Sequence, residues 1–432
     1  MKATHPKKIP SLLYANDAGE IIDLPDFSAS VRTGHDFILP EPEDFIPIPE
    51  GSELFVLPGR SPVGFRRKDG RRITIGEDPF SPAGSARAVA AFVAPAHTSL
   101  YTSAYERTSD DAPVLPLFAY TAVGWLDGRF WAAAFRSDAD IRQDRSQYEP
   151  GDVRRKTKRK LRRRPQNRLI QHLGRCCLVY GCPAARNYFL GRWEAPVPTS
   201  PSCNAACVGC ISLQPSGCCP ATQDRIGFVP TPGEIADLAV PHLKRAARPV
   251  VSFGQGCEGE PLLQAKVIEE SIRMIRSETD RGTINLNTNA SMPGKVDRLA
   301  AAGLDSIRVS MNSAREDAYL RYYRPKGFGF SDVKETIRVM KKRGRFVSIN
   351  YFILPGFTDD PDEIKAFFGF VSETGPDMIQ LRNLNMDPDR YLETVQHSPK
   401  RAPVGMRQWL HEVKKRFPSL RFGYYNPYLG KD

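Results

Sequence analysis

SPSCNAACVGCISLQ, residues 200–214, sets Cys203, Cys207 and Cys210 at C-x3-C-x2-C spacing, and the texture that follows this loop decides the fold. Strand-like runs alternate from there with helical ones. VVSFG (250–254) precedes PLLQAKVIEESIRMIRSE (261–278), INLNTN (284–289) precedes PGKVDRLAAAG (293–303), and SIRVSMN (306–312) precedes a longer stretch ending in SDVKETIRVMKKRG (331–344). VSINYFIL (347–354) then precedes DPDEIKAFFGFVSETG (360–375), and MIQLRNL (378–384) precedes MRQWLHEVKKRF (406–417). Such alternation puts βα units on a parallel sheet. Helix starts agree: Thr231-Pro-Gly-Glu234 has the form of a capping box with proline at the first helical position, and Asp360-Pro361 repeats the cap-then-proline device.

Three thiolates in eight residues on one loop point to a metal. Thiolates hold iron-sulfur clusters, and three of them on a four-iron cube leave one iron open to a non-protein ligand. The competing chemistry is zinc, with Cys218, Cys219 or His172 closing a tetrahedron. Zinc knuckles pair two C-x2-C elements, and this chain has a single one. Nothing in MKATHPKKIPSLLYANDAGEIIDL (1–24) reads as a secretory h-region, and no run of about 18 apolar residues occurs, so a cytosolic protein without membrane association is expected. In that reducing compartment nine cysteines favour ligation or catalysis over disulfides.

A C-x3-C-x2-C loop at the head of a βα series resembles the radical S-adenosylmethionine (radical SAM) superfamily, over roughly 194–421. The resemblance implies an α/β fold, a partial (β/α)6 barrel, here preceded by a smaller β-rich domain. It implies a [4Fe-4S] cluster on Cys203, Cys207 and Cys210, with S-adenosylmethionine chelating the open iron. It also implies reductive cleavage to a 5'-deoxyadenosyl radical, which abstracts hydrogen from substrate. In SFGQGCEGEPLL (252–263), Gly259-Glu260-Pro261 matches the family's Gly-Gly-Glu-Pro-like turn, with Glu258 in place of the first glycine. Glu260 is then the candidate for the methionine ammonium, although a glycine-shaped turn with Glu260 at a helix N-terminus would read the same. Asn287, Asn289, Ser310 and Asn312 end strands where the family contacts ribose and carboxylate, and equally suit helix capping. Gly356 in ILPGFTDD (353–360) resembles the family's turn near adenine, or a plain Pro-Gly turn. Two departures stand out: Gly209 occupies a commonly aromatic position, and the first strand, APVPTSPS (195–202), is rich in proline.

Outside the loop, Cys257 shares a turn with Glu260 and is the candidate catalytic residue, as hydrogen donor or substrate contact, against a passive role as a small hydrophobe. Cys176, Cys177, Cys182, Cys218 and Cys219 are the ligands an auxiliary iron-sulfur cluster would draw on, or are simply buried thiols. Of the formal +12 charge, 11 Lys or Arg and no acid fall between Arg154 and Arg175. Leu161, Leu169 and Leu173 look too sparse there for a wide apolar stripe, so a solvated linker or exposed helix is expected. The run suits RNA phosphates, an acidic flavodoxin or ferredoxin reductant, or neither. Domains are expected at 1–150 (β-rich, with a hairpin at Asp127-Gly128), 151–193 (basic linker or helical segment) and 194–432 (barrel with C-terminal extension). The expected function is radical SAM chemistry on an RNA, or on a peptide or protein. The alternative from another class is a zinc-stabilised, non-catalytic RNA-binding protein.

Overall fold

The computed structural model describes residues 5–142, 144–214 and 217–430. The chain divides into two interleaved compact units. The first takes Met1–Arg145, Phe352–Phe368 and Leu381–Pro418; the second takes Ser146–Tyr351, Gly369–Gln380 and Ser419–Asp432. These limits differ from the contiguous domains expected from the sequence: 146–193 packs into the barrel unit, and two late segments belong with the N-terminal residues.

The first unit is built on an 11-stranded antiparallel-rich sheet. Its strands begin close to the start of the described residues, where Ser11–Ala15 pairs with Ile21–Ala29 and with Arg87–Phe92. Period-two alternation explains why all five residues of the first strand are buried. Leu13 and Ala15 pack with Val89, Val123 and Ala132, while Leu12 and Tyr14 face Leu24, Ile75 and Ala86. The expected hairpin is present: Val123–Leu126 pairs with Arg129–Arg136, and Asp127 and Gly128 both take the positive φ of a two-residue primed turn.

In the second unit a seven-stranded sheet runs in sequence order. Its strands are β1 (Glu194–Val197), β2 (Val250–Phe253), β3 (Thr283–Thr288), β4 (Ser306–Met311), β5 (Phe346–Ile353), β6 (Met378–Asn383) and β7 (Arg421–Gly423). The pairing is parallel, and β7 is a strand beyond the six expected. Pro196 does not disturb the ladder because β1 lies at the sheet edge, where a missing N–H is harmless. Apolar residues such as Ile284 and Leu286 alternate with polar ones that link together: Asn285 to Ser306 and Asn287, and Asn426 to Ser252, Asn287 and Gln380.

Three helices precede β1: α1 (Pro150–Arg163), α2 (Arg168–Leu178) and α3 (Pro183–Leu190). The expectation of a solvated segment holds for one face of α1, where Arg154, Arg155, Lys158, Arg159, Arg162 and Arg163 are exposed. It fails for α2, whose Leu169, Ile170, Leu173, Cys176 and Cys177 are buried. Cysteines completed an apolar stripe that the leucines alone did not reveal. Between β1 and β2, α4 (Pro232–Arg245) starts on the expected capping box: Thr231 Oγ1 accepts from Glu234 N, and Thr231 N donates to the Glu234 carboxylate. No helix among the described residues is long and apolar enough to cross a membrane.

Candidate functional site

The cysteine loop is pinned from two sides by backbone. After β2 the chain turns sharply through 254–260. There Gly259 N donates to Ser200 O at 2.7 Å and Glu260 N to Ser202 O at 2.9 Å. A side chain at position 259 has no room, since its Cβ would lie 1.9 Å from Ser202 O. On the other side Ala206 N donates to Tyr323 O, Val208 N to Tyr322 O, and Lys326 N to Asn204 O, all between 2.8 and 3.1 Å. Tyr322 and Tyr323 close α5 (Glu316–Tyr323), the helix after β4.

Glu258, read from the sequence only as a departure from the family pattern, organises this junction. Its buried carboxylate accepts from Thr199 N, Ser200 N and Gln255 N at 2.6–3.0 Å, binding the end of β1 to the turn after β2. Burial pushes its carboxyl up to about 7 despite those bonds. Glu260 is 3% exposed. It accepts from Thr288 Oγ1 at 2.5 Å, Asn289 N at 2.8 Å and Leu262 N at 3.0 Å. The last bond caps the short turn Pro261–Gln264, so the plain capping role coexists with a place beside the loop. Burial lifts this carboxyl also to about 7.

Asn289 reaches the loop directly, its Nδ2 donating to Asn204 Oδ1 at 2.8 Å, while Asn204 Nδ2 donates to Ser291 Oγ at 2.9 Å. The structure therefore gathers Gly259, Glu260 and Asn289 around Cys203. Asn287 instead donates to Gly254 O at 2.6 Å. Asn312 Nδ2 donates to Ala318 O at 3.2 Å, in the helix that follows β4, and Ser310 is half-buried in register with Asn350 of β5. Gly356 belongs to the first unit, where its φ of 89° and the backbone of Gly34, 1.9 Å from where a Cβ would be, require glycine.

The three motif thiols are half-buried. Burial pushes Cys203 and Cys207 up, Cys207 well above the thiol range, and the neighbouring cysteines add to the effect. Arg225 Nη2 stands 3.4 Å from Cys210 Sγ and its Nε 3.2 Å from Ser212 Oγ. Sequence reasoning missed Arg225, which sits in a loop without periodic signal. It also missed Asn204, although that residue lies inside the quoted motif. Thiolates crowded in a poorly solvated loop call for a cationic group to hold them together. Two thiolates on one tetrahedral zinc would stand about 3.8 Å apart, given Zn–S of about 2.3 Å. Cys203, Cys207 and Cys210 do not form a trio whose ligand atoms all lie within 4.8 Å of one another.

A different trio does. His172 and Cys176 of α2 and Cys257 bring their ligand atoms within 4.8 Å, the one such group among the described residues. The candidate catalytic Cys257 is thus engaged with Cys176, whose hydrogen bond and charge, with burial, hold the Cys257 thiol well up. The remaining cysteines separate: Cys177 Sγ meets Thr157 Oγ1 at 3.4 Å, and Cys218 and Cys219 lie against each other with sulfurs 3.4 Å apart.

The family model described as the radical SAM superfamily matches residues 197–368. GTP 3',8-cyclase of Lactiplantibacillus plantarum is 27% identical over 174 residues, which are 40% of this chain and 48% of the relative. The match thus spans about half the length of that curated protein. Among solved structures, methylornithine synthase (PylB) aligns over 64% of this chain and 72% of its own at 13% identity and TM-score 0.38. Streptococcus suis SuiB bound to precursor peptide SuiA aligns over 55% and 52% at 14% identity and TM-score 0.38. Superpositions this loose carry no argument about substrate.

Proposed function

We propose, from the match of residues 197–368 to the radical SAM superfamily model, that this chain reductively cleaves S-adenosylmethionine at a [4Fe-4S] cluster on Cys203, Cys207 and Cys210 and so abstracts a hydrogen atom from its substrate. The observation that carries the reading is the backbone junction of the cysteine loop with the Gly259-Glu260 turn, which brings the motif thiols and a buried carboxylate together. When bound, the cluster and S-adenosylmethionine supply a one-electron cleavage and a hydrogen-abstracting carbon radical.

The chain's own residues do the rest. Cys203, Cys207 and Cys210 ligate iron as thiolates, and Arg225 balances charge at Cys210. Glu260, which burial leaves readily protonated, ionises when an ammonium group approaches and binds it by a charge-assisted contact. Thr288 Oγ1 and Asn289 N hold the Glu260 carboxylate in place. Asn289, Asn287, Ser310 and Asn312 remain candidates for further cofactor contacts. The linked polar side chains of Ser252, Asn285, Asn287, Gln380 and Asn426 offer hydrogen bonds to a polar substrate.

The exposed cationic face of α1 supports a polyanionic or acidic partner, so we propose RNA or a peptide as substrate and a flavodoxin or ferredoxin as reductant. The nine free cysteines accord with a cytosolic setting. The test is anaerobic: reconstitute with iron and sulfide, add dithionite and S-adenosylmethionine, and quantify 5'-deoxyadenosine beside total iron. Production that disappears in Cys207→Ala is expected. A protein that takes up zinc, no iron, and releases no 5'-deoxyadenosine would return the zinc-stabilised RNA-binding reading.

A further inference from the structure

We propose that His172, Cys176 and Cys257 bind a single divalent ion of the zinc type, a second metal site separate from the cysteine loop. His172 and Cys176 are four residues apart on α2 and therefore share a face one turn apart. His172 Nε2 stands 3.5 Å from Cys176 Sγ. Ligand atoms of a tetrahedral zinc, with Zn–S of about 2.3 Å and Zn–N of about 2.0 Å, are separated by roughly 3.5–3.8 Å. The His–Cys pair already has that spacing, and Cys257 Sγ lies within 4.8 Å of both.

The surroundings favour an ion over a passive packing role. Cys176 is 2% exposed and Cys257 5%, so two thiols and an imidazole meet where little water reaches them. Mixed nitrogen and sulfur donors are the set zinc prefers. Binding releases the thiol protons to solvent and leaves thiolates neutralised by the ion. Cys182 belongs to the same corner, its N–H donating to Cys176 O at 3.0 Å, and is the candidate fourth ligand. An auxiliary iron-sulfur cluster fits less well, because Cys177, Cys218 and Cys219 have their own partners and the trio is too tight for a cube.

The site has a mechanical consequence. Cys257 lies two residues before Gly259, whose N–H holds the cysteine loop, so the ion would tie α2 to the turn that positions the loop. The α2 end is itself anchored, Asn167 capping the helix and Arg168 pairing with Glu234 at 2.7 Å.

The test uses the full chain with Cys203, Cys207 and Cys210 all changed to Ala, so it does not depend on cluster assembly or on radical chemistry. Titrated anaerobically with Co2+ alone, it should develop thiolate-to-cobalt charge-transfer absorption that saturates at one ion per chain and is displaced by Zn2+. Adding His172→Ala should weaken binding by about 100-fold or more, beyond the ~10–100-fold expected for losing a mere outer-shell partner. Cys176→Ser should remove most of the charge-transfer band. Metal analysis of the untouched protein, independent of any variant's folding, should find one zinc per chain besides iron. No cobalt band, a band indifferent to His172→Ala, a Cys176–Cys257 disulfide in protein kept free of oxygen, or extra iron matched by sulfide would each overturn the proposal.

Discussion

Gly259→Ala places a methyl group where the cysteine loop already runs. The new Cβ would lie 1.9 Å from Ser202 O, 2.4 Å from Ser202 C and 3.0 Å from Cys203 N. Ordinary Cβ contacts do not fall below 3.0 Å, so loop and turn must separate by about 1 Å. That displacement stretches both backbone bonds of the junction, Gly259 N to Ser200 O and Glu260 N to Ser202 O. At about 1 kcal/mol for each bond, and about 1–3 kcal/mol where a buried group is left unpaired, the local cost is roughly 2–5 kcal/mol. A misplacement of about 1 Å in a reacting assembly costs roughly 100-fold in rate. The assay is 5'-deoxyadenosine released per chain under dithionite, normalised to bound iron. The control is Gly369→Ala on α6 (Pro361–Thr374), where an added Cβ meets nothing within 4 Å. The control should match the parent while Gly259→Ala falls about 100-fold, loses iron, or both. A Gly259→Ala protein with full iron and a rate within about twofold of the parent would refute the idea that this junction sets the geometry.

His242 on α4 is buried and faces Trp193 O at 3.1 Å, and burial lowers its pKa from 6.5 to about 4. A depressed histidine contributes stability above its unfolded value and loses it as pH falls. Wild-type protein should therefore lose about 3 kcal/mol between pH 6.5 and 4 relative to His242→Gln, read as diverging denaturant midpoints. Replacing Arg225 by Met removes a charge-assisted contact to Cys210, worth about 1.5 kcal/mol. The cluster's midpoint potential should drop by about 60 mV in a redox titration followed by electron paramagnetic resonance. In the first unit, Asp387 pairs with Arg60 at 2.8 Å with both side chains buried, and also accepts from Leu115 N. Asp387→Ala should cost about 3–5 kcal/mol, measured by chemical denaturation. An unchanged midpoint would mean the pair is already solvated.

Much of the barrel was legible because its signals are local. Period-two and helical runs, the capping box at Thr231 and the Asp127-Gly128 turn are each set by residues within a few positions of one another. Gly259 and Glu260 could be placed beside the motif cysteines because Gly259-Glu260-Pro261 resembles the family's turn, and the turns after parallel strands gather on one face of the sheet. What escaped depends on residues remote in sequence. The meeting of Cys257 with His172 and Cys176 is created by packing α2 against the turn after β2. The role of Glu258 was hidden because its partners, Thr199 and Ser200, come from the preceding strand. The assignment of 352–368 and 381–418 to the N-terminal unit leaves no compositional mark, since those residues continue the barrel's own alternation.

That interleaving bears on how the protein is made. The first unit acquires its last segment only at Pro418, roughly 270 residues after Arg145. At ribosomal speeds of ~5–20 residues per second, the N-terminal sheet waits about 15–50 s for the segment that supplies Asp387 to its buried Arg60. During that interval an uncompensated guanidinium and an uncovered sheet are exposed to chaperones and to neighbouring nascent chains. The β-rich residues are therefore not a cassette that could be trimmed away or grafted elsewhere. They are a frame laid down before the parallel strands of the second unit and completed after most of them.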